Sequence, residues 1–171
     1  MIDYLVGISY GDFDSKLTSS SHYNSNYSVK GCKLNKIMPS DTSGAWCTSS
    51  AWCAGENDKE NPWIQVDLGS EYWINAVSLQ GRGDSNQYVT KFRIKYSRTD
   101  ENNLRNLDVF DGNKDNTTVV KKYFKEPVLA KIIRLYVMEY VNYPSLRWEL
   151  HYVMDKKYGG NNSCAPTITE Q

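Results

Sequence analysis

The chain has 171 residues, 40% of them hydrophobic, which is enough for one core and too little for two comfortable domains. Twenty basic residues balance 20 acidic ones. That excludes a general polyanion binder, because nucleic-acid modules carry a cationic excess that displaces counterions.

Residues 2–8 are strand-like directly after Met1. This start lacks the basic-then-apolar pattern of a secretion leader and reads as an internal piece of a longer chain. No run of about 18 apolar residues follows anywhere, so no membrane-spanning helix is expected. Residues 19–61 are irregular and rich in Ser, Asn, Thr and Gly, with Tyr23, Tyr27, Ile37, Met38 and Trp46 spaced among them. Aromatics and cysteines in so long a stretch point to ordered functional loops. Period-two alternation then predicts strands. Residues 63–68 put Ile64, Val66 and Leu68 on one side and stop at Gly69-Ser70, and residues 76–79 form the next strand. Residues 88–96 place Tyr88, Thr90, Phe92, Ile94 and Tyr96 on one face. Residues 129–137 are almost continuously apolar, as suits a central strand, and Leu146, Trp148, Leu150 and Tyr152 alternate with Arg147, Glu149 and His151 in the last. Gly81-Arg82-Gly83-Asp84, Asp111-Gly112-Asn113, Glu126-Pro127 and Asn142-Tyr143-Pro144 are the turn signals between them. Residues 154–171, with Gly159-Gly160, read as an outgoing linker. The expectation is a mainly-β barrel over residues 1–153.

Two histidines, His22 and His151, and four cysteines without a Cys-x-x-Cys pair cannot build a recognisable zinc site. Even cysteine content and sequons at Asn26, Asn116 and Asn161 point to the cell surface or beyond. His151 sits among strand-forming apolar residues, so it reads as part of the barrel wall and not as a catalytic base.

At this point the chain resembles a known family. Gly44-Ala45-Trp46-Cys47, Ala51-Trp52-Cys53 and Asn61-Pro62-Trp63-Ile64-Gln65-Val66-Asp67-Leu68-Gly69 look like the signature of discoidin, or coagulation-factor C-type, domains. Leu79-Gln80-Gly81-Arg82-Gly83-Asp84, Tyr88 onward, Ala130-Lys131-Ile132-Ile133-Arg134 and Ser145-Leu146-Arg147-Trp148-Glu149-Leu150 continue the match in order. The resemblance covers about residues 2–153. It implies a non-enzymatic, eight-stranded jelly-roll β-barrel of the galactose-binding-like type, with three ligand-binding spike loops at one end: residues 21–30, 34–46 and 81–87. The family's barrel-closing disulfide would fall at Ile2 and Val153, so a packed apolar pair is expected in its place. The cysteines are then expected to staple loops, Cys32 with Cys47 or Cys53, while Cys164 lies in the linker. Sugar-binding relatives hold a structural Ca²⁺ beneath the loops, which here implies Asp41 and Glu149, unless Glu149 pairs with a nearby Arg.

Residues 22–38 carry Lys30, Lys33 and Lys36 and no acid. Amphipathic Tyr23 and Tyr27 beside polar donors suit stacking on a sugar face. Ile37 and Met38 could instead enter a bilayer while lysines such as Lys36 meet anionic headgroups. The Tyr- and Asn-rich character of these loops favours the glycan or a cell-surface glycoprotein over the membrane. Arg82-Gly83-Asp84 spells an integrin motif, but Arg82 beside Asp84 reads better as a ligand-contacting base on a tight turn. The expected partners are thus a glycan or glycoprotein, an anionic membrane surface as the alternative, further domains of the same polypeptide and other copies of the chain, with no nucleic acid.

Overall fold

A computed structural model describes residues 2–35 and 51–155. Lys36, Ile37, Met38, Asp41, Cys47 and Cys164 therefore lie outside the described residues, as does nearly all of the loop at 34–46. Eight strands run β1 (Tyr4–Leu5), β2 (Leu17–Ser19), β3 (Trp52–Cys53), β4 (Trp63–Gln80), β5 (Tyr88–Ser97), β6 (Arg105–Asp111), β7 (Val120–Val141) and β8 (Ser145–Val153). Their pairings are antiparallel, in the order β1-β8-β4-β7-β5-β6, with β2 added to β4 and β3 to β8. This is the jelly-roll barrel that the sequence predicts, and short 3₁₀ turns are its only helical elements among the described residues.

The core is built where apolar residues alternate. Ile64, Val66, Ile74, Leu79, Phe92, Ile94, Ile133, Leu135, Leu146, Trp148 and Leu150 are essentially sealed from solvent. Burying each such side chain stabilises the fold by about 1.5–3 kcal/mol.

Three strand expectations need correction. The residues flanking Gly69 belong to one 18-residue strand, because Gly69 takes a left-handed φ of 75° while Asp67 Oδ1 accepts its N–H at 2.9 Å. The chain crosses a bulge there, between Asp67 and Tyr72, without leaving the sheet. Glu126-Pro127 likewise lies inside β7, at a point where the β4 ladder skips from Tyr123 to Val128, so proline's missing donor costs no ladder bond. In β5 a register shift between Val89 and Phe92 flips the inward face, so Val89 is buried in place of the expected Tyr88 and Thr90.

The expected Ile2–Val153 pair does not form: Val153 is buried, but Ile2 is 73% exposed. The N-terminal strand is held differently. Tyr4 packs on Tyr152, whose ring also meets Tyr72, and Asp3 bonds Lys121 at 2.7 Å and Asn75 at 3.3 Å. Nor do Cys32 and Cys53 bridge; both are buried free thiols. Cys32 bonds the Val29 carbonyl and Cys53 approaches Ser145 Oγ at 3.0 Å. Burial pushes the Cys32 thiol up to about 12, which keeps it protonated and inert.

The residues of β8 between its core positions are buried as well. Arg147, Glu149 and His151 each reach a different piece of chain. His151 Nε2 meets Ser78 Oγ at 2.6 Å and its Nδ1 lies 3.7 Å from Asp3. Burial, with Lys121 adding and Asp3 opposing, lowers the imidazole pKa to about 4. The folded state thus prefers the neutral ring: its stabilisation is complete above pH 6.5 and is lost as pH falls toward about 4. Urea unfolding across that window is expected to lose about 3 kcal/mol. A His151→Gln variant should show a flatter profile, and equal slopes for the two proteins would remove His151 as the cause.

Candidate functional site

The turn Ser25–Tyr27 is started by Asn24, whose side chain accepts the Asn26 N–H at 2.9 Å. This presents Tyr27 beside Tyr23, which is tied by its N–H to the Cys53 carbonyl at 2.9 Å. Their rings meet edge to face at 5.5 Å, and Tyr23 meets Tyr143 in the same way at 6.1 Å. Tyr143 is held by its hydroxyl donating to the Ala54 carbonyl at 2.9 Å, on the connection between β7 and β8. Three rings thus form one aromatic corner.

Arg82 closes the corner. Its guanidinium lies 4.8 Å from the Tyr27 ring centre, donates to the Tyr27 hydroxyl at 3.2 Å and to Gln87 Oε1 at 3.2 Å, and pairs with Asp84 at 2.7 Å. Burial works against its charge, but Asp84, Cys53 and Tyr27 together outweigh it, so the Arg82 pKa lies above the ordinary arginine value. The loop that carries Arg82 is fixed from below. Arg147 Nε donates to the Gly81 carbonyl at 2.7 Å, and Asn116 Nδ2 donates to the carbonyls of Arg82 at 3.1 Å and Gly83 at 3.3 Å. Only glycine fits at 81, because a Cβ would sit 2.7 Å from Asn116 Cα and 2.8 Å from the Gln87 carbonyl. Gln87 is oriented in turn by Ser145 Oγ at 2.8 Å.

Together Tyr23, Tyr27, Cys53, Glu56, Arg82, Gln87 and Tyr143 enclose a cleft of about 320 Å³. The structure therefore brings Tyr23, Tyr27 and Arg82 together as expected. Asp84 stands beside the cleft as the partner of Arg82. In Arg82-Gly83-Asp84 the acid and base are turned onto each other, 2.7 Å apart. Glu56, Gln87 and Tyr143 were missed. Tyr143 had been visible only as part of a turn signal, and Asn142 does adopt the left-handed φ of 63° that such a turn requires. The Cys53 thiol is pushed up by burial, so the cleft holds a neutral sulfhydryl and no thiolate nucleophile.

Glu149 is not in this cleft. It is fully buried, and its carboxylate accepts the N–H groups of Gly7 at 3.3 Å, Ile8 at 3.2 Å, Ser9 at 2.8 Å and Leu150 at 2.9 Å. Both oxygens face hydrogen-bond donors, an environment built for an anion's own lone pairs and ill-suited to a shared cation. In place of an arginine, Glu149 thus takes backbone N–H groups as its partners among the described residues, while Asp41, the other residue of the expected calcium pair, lies outside them. Among the described residues no group of three or more His, Cys, Asp and Glu side chains gathers where a metal ion could be held.

A family model of the F5/8 type C domain matches residues 16–150. Discoidin-2 of Dictyostelium discoideum is 34% identical over 144 residues, which cover 83% of this chain and 55% of that protein. The solved structure of wild-type discoidin II from the same organism matches with a TM-score of 0.72 at 33% identity, covering 80% of this chain and 53% of that one. The chain thus spans about half the length of these relatives. A family 32 CBM from C. perfringens NanJ, solved in complex with galactose, shares the fold at a TM-score of 0.66 and 15% identity, over 88% of this chain and 99% of that one.

Proposed function

The chain belongs to the F5/8 type C domain family of non-catalytic binding modules, and on that premise we propose that it recognises a glycan, free or on a glycoprotein, in the Tyr23–Tyr27–Arg82–Tyr143 cleft. The observation that carries this reading is the aromatic corner with Arg82 set against it. A pyranose has an apolar C–H face for a tyrosine ring and hydroxyls that need directed partners. Arg82, Glu56 and Gln87 supply donors and acceptors at the edge of the same cleft. Its volume suits one or two sugar units. The setting that goes with this role is outside the cell, as one module of a larger adhesive polypeptide.

An anionic lipid headgroup fits the cleft less well. Arg82 is already neutralised by Asp84, and Glu56 adds a second acid. A glycan array and phosphatidylserine liposomes, each probed with the native chain and with Tyr23→Ala, separate the two. Saturable binding to a subset of glycans is expected, weakened tenfold or more in Tyr23→Ala, whose ring is 45% exposed and dispensable for the core. Salt-sensitive liposome binding without glycan hits would sink the glycan reading.

A further inference from the structure

Among the described residues, β6 and the leading part of β7 flank a seam that no strand fills. β6 pairs with β5 alone, and β5 pairs with β7 only from Ile132 to Val141. The leading part of β7 pairs with β4 on one side and has no ladder partner on the other among the described residues. Two strand edges without a ladder partner among the described residues therefore line the same hollow. Phe110 of β6 bridges them at one end by packing on Phe124 of β7 at 5.7 Å. Toward the other end lies the Arg98–Glu71 ion pair, at 2.7 Å. Between them the seam opens into a hollow of about 860 Å³, larger than the glycan cleft and on different elements.

Its chemistry is that of a strand's resting place. Trp73, Tyr96, Leu107, Phe110, Pro127 and Val128 give an apolar lining, while the rim carries Arg105 and Lys125, neither of which forms an ion pair with another described residue. Asp108, also on the rim, turns back to accept the Val109 N–H at 2.7 Å, which covers one donor of the β6 edge. We infer that this seam binds an extended peptide segment of a partner protein, with apolar residues at alternate positions and a carboxylate for Arg105 and Lys125. A main chain laid along this seam would meet edge donors and acceptors of β6 and of the leading part of β7, and its inward side chains would fill the apolar floor. A sugar would offer neither the spacing nor the alternation.

The test is a selection of random twelve-residue peptides displayed on phage against the native chain, followed by binding of the enriched peptides in solution. Enriched sequences should alternate apolar and polar residues and include an acid. Their affinity should fall tenfold or more in Arg105→Glu/Lys125→Glu, whose side chains are exposed and leave the core intact, and stay unchanged in Tyr27→Ala. Hydrogen exchange should slow on the bound complex at β6 and over residues 121–128. The inference is overturned if no peptide is enriched, if binding ignores the charge reversal, or if the enriched peptides need Tyr27. Glycan binding that survives the double substitution keeps the two sites distinguishable.

Discussion

Glu149→Ala is expected to destabilise the fold by about 4 kcal/mol, the largest effect of any single polar substitution proposed for this chain. The carboxylate is the partner of four backbone N–H groups, three of them in the turn that follows β1. Removing it leaves those donors in a dry site, where each unsatisfied group costs about 1–3 kcal/mol before relaxation. Relaxation is limited, because Ile8 is itself fully buried and cannot swing its amide out to water without leaving the core. Glu149→Gln keeps one acceptor oxygen but substitutes a donor for the other, so it should fall between the native chain and the alanine variant. Urea unfolding monitored by tryptophan fluorescence reads the difference, and a loss under about 1 kcal/mol would contradict the assigned role. The melting temperature of the native chain should not respond to calcium through this residue.

Arg82→Ala should reduce glycan affinity about thirtyfold or more, which is the loss typical of a central arginine anchor of about 2 kcal/mol. Four contacts converge on that guanidinium: the Tyr27 face, the Tyr27 hydroxyl, Gln87 and Asp84. Without it, Tyr27 loses the group that fixes its ring, and the cleft loses its charged edge. Arg82→Lys preserves the charge without the planar fork that stacks and bonds at once, so most of the loss should remain. Calorimetric titration with the strongest array glycan measures it. Because Arg82 lies on a loop and lends nothing to the apolar core, unfolding midpoints should stay close to native. A change in affinity under threefold would place the binding site elsewhere.

Strands whose pattern is unbroken were legible: Ile64, Val66 and Leu68 point inward as their spacing requires, and so do Leu146, Trp148 and Leu150. Bulges were not. Gly69 and Glu126-Pro127 look like punctuation, yet a long strand absorbs each by skipping ladder bonds, while the Val89–Phe92 shift lies inside a stretch whose alternation reads as unbroken. The second burial of β8 was hidden for a related reason. Arg147, Glu149 and His151 carry polar atoms that a sequence places in solvent, whereas tertiary partners satisfy them inside. In the cleft, Tyr23, Tyr27 and Arg82 stood out as large or charged groups in polar loops. Gln87 closes the same 81–87 loop as Arg82 but carries no charge or ring to single it out, while Tyr143 arrives from the connection before β8, and only the closed barrel brings it near. The Ile2–Val153 expectation failed because position was carried over without its environment: one residue faces the core and the other faces water.

The polar side of β8 also dictates when the molecule can be finished. Gly81 waits for Arg147, the turn at Ile8 waits for a carboxylate 141 residues downstream, and Asp3 waits for His151. A nascent chain therefore holds its binding loops unanchored until the last strand has left the ribosome. Closing loops of that length makes folding slow, because chain entropy is lost before any distant contact returns it. Fragments ending before Ser145 should collapse without a cleft, and refolding and recovery of ligand binding should share one rate.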